Sequence, residues 1–145
     1  IDSLDAVKSV DWKPDGSRLS FSFGREVYTI KPDGSDLRQI TNTESNATRP
    51  AWSPGGSRIV FTTISPDRLG DLYTVKPDGS DLKQITKGPA GTGWPVWKPD
   101  GSRIAFTSGS FTIGFKMYTI KSDGSDLKPI VGADSIDVST FDWEV

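Results

Sequence analysis

An all-β chain built from three copies of one four-stranded antiparallel unit is what this sequence predicts. The first observation is a near-repeat: YTIKPDGSDLRQIT at 28–41 returns as YTVKPDGSDLKQIT at 73–86 and YTIKSDGSDLKPIV at 118–131. The second is a shared block ahead of each copy, DWKPDGSRLSF at 11–21, AWSPGGSRIVF at 51–61 and VWKPDGSRIAF at 96–106. The third is spacing. Trp12, Trp52, Trp97 and Trp143 stand 40, 45 and 46 residues apart, and self-similarity at such a period marks an array of one supersecondary unit.

Within each unit the runs are short, β-rich and bounded by Gly, Pro, Asp and Ser, with no helical periodicity. The first strand ends on the tryptophan, at 7–12, 48–52 and 93–97. The second follows the PDGSR turn, at 18–23, 58–63 and 103–108. The third is read at 26–30, 71–75 and 116–120, and the fourth at 37–41, 82–86 and 127–131. In the turns, proline presets φ near −65° and glycine supplies a positive φ. Gly55 replaces the turn aspartate in the second unit and Ser122 replaces the turn proline in the third.

The second strands carry Leu19/Phe21, Ile59/Phe61 and Ile104/Phe106, with Ser20, Val60 and Ala105 between them. Small or apolar residues at the alternate positions mean that both sheet faces are at least partly covered. A meander covered on both faces and repeated every 40–45 residues or so describes a β-propeller blade. The blades span about 6–41, 48–86 and 93–131 of a single domain, 1–145.

Composition narrows the chemistry. The 145 residues carry 25% charged side chains and a net charge of −2, no electrostatic footprint for nucleic acid or anionic membrane. No stretch has the apolar length to cross a bilayer, so membrane insertion is not expected. The chain begins at Ile1, which fits either removal of an export leader or a trimmed chain. It has no cysteine and no histidine. That removes disulfides, thiolate zinc sites, the commonest general acid–base and the commonest transition-metal ligand. No catalytic residue, metal or cofactor is expected, and the sequence reads as non-enzymatic.

The W-[SK]-P-D-G-S-R-[IL]-x-F block followed by [VLM]-Y-T-[IV]-K-x-D-G-S-D-L resembles the WD40-like (PD40) repeat of TolB-type propellers over nearly the whole chain. The resemblance implies first strands lining a central channel, fourth strands at the rim, and rings of six or seven blades. It also implies protein–protein interaction at the bacterial cell envelope and a periplasmic or extracellular setting. Similar repeats form gating propellers beside peptidase domains. Related lyases use histidine-bound metal, which this chain cannot supply, although simple sugar binding at Trp94 stays open.

Propellers close with roughly four to eight blades, and three leave two faces wet. At roughly 300 Å² per face, that forfeits on the order of 10 kcal/mol of burial. Two copies closing a six-bladed ring as a homodimer is one solution; a piece of a longer propeller is another. An amplified or engineered repeat array with no ligand is a third origin. STFDWEV at 139–145 matches the opening of the first unit, so Phe141, Trp143 and Val145 form a candidate closure strand.

The turns between first and second and between third and fourth strands lie on one face and hardly vary. The opposite loops vary, and varied loops on a rigid scaffold are where binding resides. Candidates there are Trp94, an extra aromatic in GTGWPVW, and Phe111, Ile113 and Phe115 in SGSFTIGFK. Asp67 and Arg68 belong to the second unit's loop, and Glu44 and Arg49 to NTESNATR. The third-unit loop is either an apolar contact patch or an extension of its hairpin. The Asp-Gly-Ser-Asp segments (Asp33/Asp36, Asp78/Asp81, Asp123/Asp126) lack EF-hand spacing and read as turns. Asn46 sits in a glycosylation sequon, relevant only in a eukaryotic secretory setting. Arg18, Arg58 and Arg103 are expected to pair with an aspartate of a turn or of a neighbouring blade.

Overall fold

The computed structural model describes residues 6–65, 68–88, 91–110 and 114–130. Twelve strands form three antiparallel sheets in the described residues. The first sheet is β1 (Lys8–Trp12), β2 (Leu19–Phe23), β3 (Glu26–Ile30) and β4 (Arg38–Gln39). The second is β5 (Asn46–Trp52), β6 (Ile59–Ser65), β7 (Arg68–Val75) and β8 (Lys83–Gln84). The third is β9 (Gly91–Trp97), β10 (Arg103–Ser110), β11 (Gly114–Lys121) and β12 (Lys128–Pro129). Spatial order follows chain order in each sheet, so every unit is a simple meander.

The turns form as their residues dictate. Gly16 adopts φ 72° and its N–H donates to Lys13 O at 2.8 Å, while Asp15 Oδ1 accepts from Ser17 N at 2.9 Å. In the second unit Gly55 removes that carboxylate, and a different bond ties the turn, Ser53 Oγ accepting from Arg58 N at 3.0 Å. Ser122 in place of proline leaves its turn intact, with Gly124 N donating to Lys121 O at 2.9 Å.

Two boundaries differ from the sequence reading. The β10–β11 ladder runs out to Ser110↔Gly114, so Phe115 is a ladder residue opposite Gly109 rather than part of a free loop. The fourth strands are two residues long, not five. Beyond them Ile40 N still donates to Val27 O at 2.8 Å and Ile85 N to Leu72 O at 2.7 Å. A threonine side chain serves the opposite group: Thr41 Oγ1 accepts from Val27 N at 2.9 Å and Thr86 Oγ1 from Leu72 N at 2.9 Å. The leucines that open the expected strands, Leu37, Leu82 and Leu127, are exposed.

The three sheets stack in chain order, β5 packing on the first sheet and β9 on the second. Two apolar layers result. Val27 and Ile40 of the first sheet meet Ala47, Trp52, Ile59, Phe61 and Val75 of the second. Val60, Leu72 and Ile85 meet Trp97, Ile104, Phe106 and Ile120 between the second and third. Because alternate strand residues face opposite ways, Ile59 and Phe61 pack toward the first sheet and Val60 toward the third. Phe61 and Val60 are both fully buried, so both faces of the middle sheet are core. Stacked cross-strand pairs recur in all three sheets: Phe21–Tyr28 at 5.8 Å, Phe61–Tyr73 at 5.7 Å and Phe106–Tyr118 at 5.9 Å between centroids.

Candidate functional site

The site begins with prolines where a sheet should not hold them. Proline cannot donate to a ladder and is confined to edges and bulges, yet Pro50 and Pro95 sit inside β5 and β9. Each innermost strand carries one extra residue against its neighbour. Arg49 and Pro50 together oppose Phe61, Trp94 and Pro95 oppose Phe106, and Ser9 and Val10 oppose Phe21. The first residue of each bulge is left-handed: Ser9 has φ 52°, Arg49 53° and Trp94 49°. Bulky residues rarely adopt that conformation, and its strain gathers at functional sites.

A hydroxyl from the second strand pins each bulge. Ser22 Oγ donates to Lys8 O at 2.8 Å, Thr62 Oγ1 to Thr48 O at 3.2 Å and Thr107 Oγ1 to Gly93 O at 3.2 Å. The carbonyl just before the bulge thus gains a partner that the broken register denies it.

A bulge re-aims side chains, and these three converge. Ser9, Arg49 and Trp94, one from each sheet, line a cavity of about 420 Å³ at the inner edge, with Val96, Thr107 and Met117 among its other walls. The Arg49 guanidinium lies over the Trp94 ring, 4.3 Å from its centroid. Burial lowers the pKa of Arg49 from its usual value, but a guanidinium remains protonated at any ordinary pH.

Arg49 differs from the three repeated arginines. Arg18, Arg58 and Arg103 each donate to one threonine (Thr29, Thr74, Thr119) and to a hairpin aspartate of the same sheet, Asp36 at 2.7 Å, Asp81 at 2.8 Å and Asp126 at 2.8 Å. Each also donates to the carbonyl of that aspartate at 2.6 Å. The aspartates are left-handed, with φ 54–55°, and the arginine clamps them there. Asp33, Asp78 and Asp123 meanwhile accept from the serine N–H two residues on, at 2.9 Å. Both carboxylates of each Asp-Gly-Ser-Asp segment are therefore engaged in holding the hairpin. Among the described residues no carboxylate pairs with Arg49.

Of the sequence candidates, the structure brings Arg49 and Trp94 together. Glu44 is exposed and Phe115 half-buried; neither lines the cavity. The backbone of Arg68 opens β7. Asp67, Phe111, Ile113 and the closure residues Phe141, Trp143 and Val145 lie outside the described residues. Sequence reasoning missed Ser9 and the bulge itself. Pro50 and Pro95 were the available signal, since each follows the residue that turns left-handed.

Known proteins resemble parts of this sequence and its fold. A stretch of 69 residues, 41% of this chain and 10% of the relative, is 36% identical to dipeptidyl-peptidase 5 of Porphyromonas gingivalis. A stretch of 38 residues, 26% of this chain and 9% of the relative, is 50% identical to the Tol-Pal system protein TolB of Nitratidesulfovibrio vulgaris. The structure of putative TolB from Agrobacterium tumefaciens superposes with a TM-score of 0.77 and 22% identity, over 86% of this chain and 48% of that one. These matches span about a tenth of the length of the curated relatives and about half of the solved TolB chain. No protein-family model matches the chain. With the repeated motif, the meander order and the superposition in agreement, the chain is an arc of TolB-type, WD40-like β-propeller blades.

Proposed function

We propose that this chain is a non-catalytic propeller scaffold for binding other proteins, completed when two copies close head to tail as a six-bladed ring. The observation that carries the reading is the repetition of one junction inside the chain. At each junction a blade presents a tryptophan, an aliphatic residue and a phenylalanine to the blade before it: Trp52, Ile59 and Phe61, then Trp97, Ile104 and Phe106. Blade one carries the same set, Trp12, Leu19 and Phe21, and no blade covers it among the described residues. Trp12 is 54% exposed, whereas Trp52 and Trp97 are 5% and 9% exposed.

Blade three carries the complementary side, which no blade covers among the described residues. Its Val96, Ala105, Met117 and Ile130 stand where Ala51, Val60, Leu72 and Ile85 stand in blade two, and Val96 is 61% exposed. The junction also has a polar key, Trp97 Nε1 donating to Ala51 O at 3.1 Å. Trp12 of a second copy and the Val96 carbonyl occupy the matching positions. A heterologous contact that rotates by a constant angle closes into a ring, and the solved TolB chain is about twice as long.

The likeness to TolB supports a role in binding at the cell envelope and a periplasmic location. The absence of histidine and cysteine from the sequence supports a scaffold without catalysis of its own. The likeness to a dipeptidyl-peptidase favours a second reading, in which further blades of a longer, peptidase-bearing chain cover the same two faces.

Ala105→Glu, in the middle of the open face of blade three, separates the two readings for this chain. Ring closure predicts that the variant halves the particle mass measured by light scattering and stays folded. An unchanged mass would exclude that face as the seam.

A further inference from the structure

We propose that the inner-edge cavity binds a carboxylate carried on an apolar body. Arg49 takes the carboxylate, and Trp94, Val96 and Met117 take the apolar part.

Three observations converge on this chemistry. The first is the cost of the geometry. Three successive innermost strands hold a non-glycine residue left-handed at the same bulge, and two of the three are large side chains followed by proline. A packing role alone is met more cheaply by glycine, which adopts this backbone without strain.

The second is charge. Arg18, Arg58 and Arg103 all have carboxylate partners, whereas Arg49 is half-buried with an indole on one side and no carboxylate among the described residues. Burial disfavours its charged form, as the lowered pKa records, so an incoming anion restores what desolvation removed. A guanidinium stacked on an aromatic face keeps its in-plane N–H groups directed outward, the geometry in which arginine grips a carboxylate with two bonds.

The third is the shape and chemistry of the walls. The cavity holds about 420 Å³ and is bounded by Pro50, Trp94, Pro95, Val96 and Met117, with Thr107 as a polar wall. That volume falls within the range of small-ligand sites, which are mostly apolar with a few convergent polar groups. One cation at the margin of apolar walls selects an amphiphilic anion over a sugar or a polyanion. Ring closure, where it occurs, brings Ser9 to the following bulge. Val96 and Met117 also lie on the face that ring closure covers, so a closed ring narrows the cavity to its Arg49, Pro50, Trp94 and Pro95 side.

The ligand has two chemical sources: the free C-terminus of a peptide ending in an apolar residue, and a small aromatic acid. Calorimetric titration of the intact chain with N-acetylphenylalanine, its amide, and the peptide acid N-acetyl-Gly-Gly-Phe separates them. Both acids are expected to bind about tenfold or more tightly than the amide, because the charge-assisted bonds to Arg49 are lost with the carboxylate. A peptide acid that outbinds N-acetylphenylalanine identifies a chain end; equal affinities identify the small acid.

Arg49→Gln is expected to abolish the preference for acid over amide, and Arg49→Lys to retain part of it. Trp94→Ala is expected to weaken acid and amide alike. Thermal melts of each variant confirm that it is folded. Because ring closure covers Val96 and Met117, each titration is paired with a light-scattering mass. The mass alone tests ring closure, and the acid–amide ratio of the unmodified chain against Arg49→Gln at the same mass tests the site. Equal binding of acid and amide, binding of neither, or a full preference surviving in Arg49→Gln overturns the proposal.

Discussion

Arg49 and Trp94 occupy the same bulge position in successive blades, and the guanidinium of the first stacks 4.3 Å from the ring centroid of the second. Each is left-handed, so the pair is held together by backbone geometry that neither side chain favours. Substitution tests this directly. Arg49→Gly keeps the conformation without strain and loses only the cation–π contact, worth about 0.5–2 kcal/mol. Arg49→Ile puts a β-branched residue where φ is 53° and costs a further 1–3 kcal/mol or so. Chemical denaturation of the two variants checks the order; equal stabilities would show that the bulge relaxes.

Phe61 and Phe21 are the same residue of successive blades, one fully buried and the other half-buried. Phe61→Ala should cost about 3–5 kcal/mol, the usual loss for a buried phenylalanine. If a second copy covers blade one, Phe21→Ala costs nearly as much and weakens association. In an uncovered arc it costs far less. Denaturation at two protein concentrations measures both effects.

Trp52 and Trp97 are both buried, but only one indole N–H is bonded. Trp97 Nε1 donates to Ala51 O at 3.1 Å, while Trp52 Nε1 has no partner among the described residues. Phenylalanine removes similar bulk at each site. Trp97→Phe should therefore be more destabilising than Trp52→Phe by about 0.5–1.5 kcal/mol, the net worth of one such hydrogen bond. Equal losses would place a partner on Trp52 after all.

The hairpin clamps set the acid limit of the fold. Hydrogen bonds from Arg38 and then Arg18 lower the pKa of Asp36 to about 2, and Arg58 and Arg103 lower those of Asp81 and Asp126. An unfolded aspartate titrates near about 3.9. A depressed folded value makes the contribution fully present above the unfolded pKa and lost as pH falls through the folded one. Tm should be nearly constant above about pH 5 and fall between about pH 4 and 2. Asp36→Asn should lower Tm at neutral pH and reduce that fall. A Tm that rises on acidification through this window would contradict the clamp.

Repetition made most of the fold legible. Strand number, meander order and the PDG turns follow from motifs that appear three times, because a turn that needs proline, aspartate and glycine at fixed offsets leaves a mark in the sequence. The short fourth strands were less legible, since Thr41 and Thr86 satisfy the neighbouring backbone through side chains that look like any strand threonine. The bulges were hardest to see. Pro50 and Pro95 mark two of them, whereas nothing in Ser9-Val10 marks the third as a bulge. Trp94 stood out as an unmatched aromatic, but its link to Arg49 depends on a bulge register that the residues alone do not reveal.

Ring closure is read from the mass of the unmodified chain in solution. Sedimentation equilibrium over a wide concentration range should give twice the 15.8 kDa chain mass, with no larger species, because two three-bladed halves complete one ring. A particle of 15.8 kDa at every concentration would contradict the closed ring and leave both end faces to some other partner.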